Sequence, residues 1–130
     1  MKELQAELHE LVPGKHRKFL AEMEDIIVAG DYVFVHAGIN PKHSLEDQNQ
    51  SDLRWIRERF LKHREPFSHV VVHGHTIFED IEHTDYRIGI DTGAFRTGKL
   101  TALVLEGDQR RLIQTQEIDG TIAVTHKEFA

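Results

Sequence analysis

Two histidines stand where an apolar run meets a glycine turn: His36 in Val35-His36-Ala37-Gly38, and His75 in Val72-His73-Gly74-His75-Thr76. A buried strand that ends in His beside small residues directs an imidazole into a crevice that backbone and ligands can approach closely, which suits metal-ligand duty. A lone strand-end histidine is more often a hydrogen-bonded structural residue. Two with the same local pattern make the ligand reading as strong as the structural one, and the chemistry they suit is that of a metal-dependent hydrolase.

The elements that must position these imidazoles alternate early and turn to strands late. Helical spacing runs over Lys2 to Leu11, with Leu4, Leu8 and Leu11 on one stripe, and over Lys15 to Ile27, with Phe19, Leu20, Met23, Ile26 and Ile27 on another. Pro13-Gly14 separates the two helices, Gly30-Asp31 ends the second, and both are expected to pack against the core. Tyr32 to His36 reads as a strand covered on both faces, followed by a polar loop from Ala37 to Gln50. Asp52, or Ser51 before it, is placed to cap a helix reaching about Leu61, with Leu53, Ile56 and Phe60 inward and Trp55 partly so.

Val70 to Val72 forms a second buried strand, and Tyr86 to Ile90 a third that ends at Asp91-Thr92-Gly93. Leu100 to Leu105 and Arg111 to Thr115 read as a hairpin. From Ile118 to Ala130 the chain has a turn at Asp119-Gly120 and one more strand. This order predicts a mixed α/β arrangement rather than a doubly wound one.

Composition bounds the class. With 130 residues the chain holds one domain at most. The absence of cysteine excludes disulfides and thiolate metal sites. No apolar run reaches membrane-spanning length and the start has no signal-peptide pattern, so no membrane partner is expected and the location read from the sequence is cytoplasmic. A formal net charge of −6 argues against a nucleic-acid binder that tracks phosphates.

In order along the chain come Tyr32-Val33-Phe34-Val35-His36-Ala37-Gly38-Ile39-Asn40-Pro41, Leu45 and Gln48, Asp52-Leu53-Arg54-Trp55-Ile56-Arg57, Val71-Val72-His73-Gly74-His75-Thr76, Arg87-Ile88-Gly89-Ile90-Asp91-Thr92-Gly93-Ala94 and Gly98-Lys99-Leu100-Thr101-Ala102-Leu103. This succession, spread from about Pro13 to Leu105, resembles bacterial calcineurin-like metallophosphoesterases of the serine/threonine phosphoprotein phosphatase branch. The family's Asp-x-His-Gly, Gly-Asp-x-x-Asp-Arg-Gly and Gly-Asn-His-Glu segments are absent from the sequence. The resemblance therefore covers only the C-terminal portion of such a domain, and residues 1–130 are expected to form a single partial metallophosphoesterase domain.

The resemblance implies a β-sandwich flanked by helices, of which this chain would supply the second sheet and one side of the metal cleft. It implies a phosphoric monoester hydrolase with two divalent ions, manganese first with iron or zinc as alternatives, and it places His36 and His75 on the second ion. Arg57 would bind phosphate through its planar fork, the bland alternative being a surface helix charge; Arg54 and Arg59 are expected to face solvent. His73 and Asp91 are expected near substrate or behind the ligands, steadying the site. Two such metals about 3.5 to 4 Å apart activate a bridging water for in-line attack on phosphorus.

Other readings stay open. The same metal centre serves dinucleoside polyphosphate hydrolases. A strand ending in Asp91-Thr92-Gly93 is also the signature of dimeric aspartic proteases, a reading that leaves both His segments unexplained. Without the absent segments the chain is expected to bind one ion weakly or none and to be a fragment with little or no activity. Its partners are then a phosphorylated protein or small phosphoester, together with the missing N-terminal half or a second copy in a dimer or swapped oligomer.

Overall fold

The computed structural model describes residues 2–129, so the two ends of the expected domain, Met1 and Ala130, lie outside the described residues. Among the described residues the architecture is mixed α/β, with five helices and two sheets, where the resemblance leads to the expectation of a single sheet from this chain. Helices α1 (Lys2–Leu11) and α2 (Gly14–Ala21) come first. Five strands, β1 (Ile26–Ala29), β2 (Tyr32–Val35), β3 (Val70–His73), β4 (Glu82–Thr84) and β5 (Arg87–Gly89), form one sheet in the order β1-β2-β3-β5-β4. Between β2 and β3 lie α3 (Gln50–Trp55) and α4 (Glu58–Leu61). A single helical turn, α5 (Ala94–Thr97), precedes a three-stranded antiparallel sheet of β6 (Thr101–Glu106), β7 (Gln109–Ile118) and β8 (Thr121–Phe129).

The parallel core of the larger sheet matters most for the site. β2 pairs parallel with β3, and β3 parallel with β5, so these strands present their C-terminal tips along one edge. Two bonds pin the tips: the Gly74 N–H donates to the His36 carbonyl at 2.9 Å, and the Ile90 N–H to the His73 carbonyl at 2.9 Å. In open sheets with parallel strands, ligands collect outside that edge.

Adjacent strand residues face opposite sides. Val71 joins Ala37, Ile39, Leu53, Ile56 and Phe60 in the core beneath α3 and α4. Val72 faces a cleft shared with Leu100 and Thr101 at the start of β6. The two sheets are tied by hydrogen bonds from Arg110 Nε to the Tyr32 hydroxyl at 3.0 Å and between the Thr92 and Thr101 hydroxyls at 2.8 Å.

Several local expectations change. The helix expected over Lys15 to Ile27 stops at Ala21, and Ile26 and Ile27 belong to β1, which returns antiparallel into β2. The β-branched run Ile26-Ile27-Val28 favours a strand, and Gly30, at φ 57°, makes the hairpin turn rather than a helix end. The helix expected to reach Leu61 is broken, with Ile56 extended and Arg57 at φ −134°, ψ −99°. Its cap is Asn49, whose side chain accepts from the Asp52 N–H at 2.8 Å, in place of Ser51 or Asp52. Leu53, Ile56 and Phe60 do point inward, but Trp55 is 70% exposed.

α1 and α2 form, yet their apolar stripes stay uncovered, with Leu4, Leu8 and Leu11 53–77% exposed and Phe19 and Leu20 also exposed. A helical period defines a face without defining what covers it. Among the described residues no helix is long and apolar enough to cross a membrane.

Candidate metal and phosphate site

The strand edge brings together the residues that the two histidine motifs single out. His36 follows β2 and His75 follows β3 by two residues; their rings lie edge to face with centroids 5.1 Å apart. His75 has φ 63°, a left-handed conformation uncommon for a side-chain-bearing residue and concentrated at functional turns. That twist turns the ring off the strand's own alternation and toward His36 and Trp55, whose ring stands at 5.6 Å, also edge to face. Trp55 is thus held at the site by the end of α3, a placement that its apolar periodicity does not reveal.

The surroundings of His75 disfavour its protonated form. Burial lowers its pKa first, and the Arg57 charge and the neighbouring His36 lower it further, against an opposing pull from Asp91. Its Nε2 is screened from solvent and has no hydrogen-bond partner. An imidazole with an unengaged ring nitrogen beside a second imidazole is a donor set that fits a borderline divalent cation.

Asp91 lines the same cleft as His36 and His75, and the Arg57 charge acts on the His75 ring. The backbone break before α4 holds Arg57, which is exposed. Asp91 follows β5; its Oδ1 accepts from the Gly93 N–H at 3.0 Å, closing the turn that leads into α5. Behind these groups a cleft of about 360 Å³ runs between the sheets, walled by Phe34, Val72, Ile90 and Leu100.

His73 borders the same cleft, but its ring is packed into the core. It is 1% exposed, its ring standing edge to face against Phe60 at 4.9 Å, and its Nδ1 donates to the Gly74 carbonyl at 3.2 Å. Desolvation, aided by the Arg87 charge and opposed by the Gly74 bond and Glu82, lowers its pKa. Strand alternation alone would set positions 73 and 75 on one side, but the twist at His75 redirects its ring, and the described ring contacts of His73 are with the helix-side core.

Gly38 fixes the loop between these elements. Its φ is 152°, and a Cβ there would fall 2.4 Å from the Phe60 ring. Beyond it, buried Asn40 organises the following loop: its Nδ2 donates to Asp52 at 2.8 Å, its N–H to Gln48 Oε1 at 2.7 Å, and its carbonyl accepts from Gln48 Nε2 at 3.0 Å. The sequence marks Asn40, Gln48 and Asp52 as part of a pattern, but their mutual bonding is a tertiary fact.

Arg54, expected to face solvent, is about half exposed and pairs with Asp25; Arg59 is exposed as expected. Among the described residues no group of three or more His, Cys, Asp or Glu side chains is arranged to hold a metal ion. The site is a histidine pair with an arginine and an aspartate beside it. No family model matches the chain, and no curated protein matches it.

Proposed function

We propose that this chain carries one half of the two-metal centre of a calcineurin-like metallophosphoesterase of the serine/threonine phosphoprotein phosphatase branch, and that the reaction it serves is hydrolysis of a phosphomonoester. The observation behind this reading is the 5.1 Å approach of the His36 and His75 rings at neighbouring strand tips. The unpartnered Nε2 of His75 supports it. The two sheets are then read as part of a metallophosphoesterase sandwich, and the lack of cysteine suits a reducing cytoplasmic setting.

His36 and His75 are the residues that would hold one divalent ion, manganese, iron or zinc by donor type. When bound, such an ion polarises a phosphoryl oxygen and lowers the pKa of a coordinated water. Arg57 presents two parallel N–H donors to the remaining phosphoryl oxygens. Asp91 steadies the turn after β5 and offsets the surrounding positive charge through its second oxygen. Two imidazoles make an incomplete ligand set, so the chain alone binds an ion weakly and turns over little until a polypeptide bearing the absent Asp-x-His-Gly, Gly-Asp-x-x-Asp-Arg-Gly and Gly-Asn-His-Glu segments supplies the rest.

The test is complementation. The chain, mixed with such a polypeptide and manganese, is expected to hydrolyse a chromogenic phosphomonoester, and to lose that activity with a chelator or on His36→Ala or His75→Ala. Turnover indifferent to both substitutions would overturn the reading. Chelator-insensitive peptide cleavage that depends on Asp91 would replace it with an aspartic protease. A phosphopeptide run beside a dinucleoside polyphosphate decides the substrate class.

A further inference from the structure

A groove of about 490 Å³ on the flank of α4 gathers cationic side chains in a chain whose formal net charge is −6. Lys42, Arg59, Lys62, His63 and Arg64 line it, against Glu65 as the acidic member of the lining. Lys62 is paired with Glu58, one turn back on α4. Lys42, Arg59 and Arg64 are exposed and enter no ion pair among the described residues. The walls are fixed from below. The Asn40–Asp52 bond anchors the loop that carries Lys42, and the His63 ring stacks on Phe67 at 4.8 Å.

We propose that this groove binds an acidic polypeptide segment and, resting on the phosphoprotein phosphatase reading above, that the segment flanks the phosphorylated residue of the substrate. Guanidinium groups left unpaired on a built wall present planar forks that match carboxylates two oxygens at a time. The groove lies along the same short helix that begins beside Arg57. At about 1.5 Å per residue, Lys62 lies roughly 7 Å along that axis from Arg57, a span that an extended peptide covers in about two to three residues. Acidic side chains a few positions from the phosphoester would therefore meet the groove while the phosphoryl group meets Arg57.

A nucleic-acid strand fits less well. Such strands need aromatic platforms for base stacking, and among the described residues no Phe, Tyr or Trp lines this groove. The excess negative charge of the chain also repels a long polyanion more than a short acidic segment.

The experiment uses the full chain with chelator present and reads binding alone, so a failure of the metal site leaves the result standing. Fluorescein-labelled deca-glutamate is titrated by anisotropy at low and at moderate salt, beside a neutral glycine-serine peptide and deca-thymidylate. Deca-glutamate is expected to bind, more weakly as salt rises, and the neutral peptide not to. Arg59→Glu with Arg64→Glu is expected to weaken deca-glutamate about tenfold or more, and Lys127→Glu on β8 to leave it unchanged. Lys42→Glu, on the loop rather than the helix, gives a second reading if the double variant loses its circular dichroism spectrum. Equal binding by the charge-reversed chains, no binding at low salt, or deca-thymidylate bound more tightly than deca-glutamate would each overturn the proposal.

Discussion

Gly38 and Asp52 show how single residues support a site that they do not enter. At Gly38 any side chain meets both an unfavourable φ and the face of Phe60. Gly38→Ala is expected to destabilise the chain by about 2 kcal/mol or more in urea unfolding, the range for overpacking combined with backbone strain.

Asp52 accepts from Asn40 and Asn49, and these bonds, the Asn40 bond foremost, hold its carboxyl below the usual carboxylate range. A depressed folded-state value means that the unfolded chain binds the proton more readily. The associated stability is present above the unfolded pKa and is lost as pH falls through the folded value. Asp52→Asn is expected to flatten the fall in urea midpoint that the parent chain shows on acidification below about pH 5; an unchanged acid limb would mean that other carboxylates dominate it.

Among the elements, the interrupted helix over residues 50–61 has the clearest functional consequence. A continuous helix through Ile56 and Arg57 would advance about 100° per residue and carry both side chains round a regular surface. The break lets Ile56 stay in the core while Arg57 starts a new turn near His75. In the complemented phosphatase assay Arg57→Ala is expected to lower kcat/KM by roughly 100-fold, and Arg57→Lys to recover only part of the loss, because an ammonium lacks the planar fork. Full recovery by lysine would reduce Arg57 to a simple positive charge.

The hairpin of β1 and β2 is a second instance. The helical spacing over Lys15 to Ile27 takes in Ile26-Ile27, which the structure places in a strand. Pairing with β2 decides it, because Ile26 lies opposite Val35 and Ile27 opposite Phe34.

Across the whole molecule, apolar surface remains to be covered. α1 and α2 expose their stripes, β1 is an edge strand with Ile27 and Val28 half exposed, and Leu20, Met23, Ile27 and Trp55 border a hollow next to His36. Exposed apolar groups of this extent favour association. Sedimentation of the isolated chain is expected to show concentration-dependent oligomers, and Leu8→Glu with Leu20→Glu to shift them toward monomer by about tenfold or more in dissociation constant. A parent chain that sediments as a monomer at high concentration would contradict this.

The sequence by itself determined the strands that lead to His36, His75 and Asp91, the inward face of Leu53, Ile56 and Phe60, and the late hairpins, because burial, periodicity and turn chemistry are local. Tertiary structure alone decided that the tips of β2, β3 and β5 lie side by side, since pairing joins residues far apart in the chain. It also decided that His75 turns toward His36 while His73 stays in the core, and that Asn40 ties to Asp52. Each depends on a backbone twist, a strand register or a hydrogen bond whose partner no local pattern specifies.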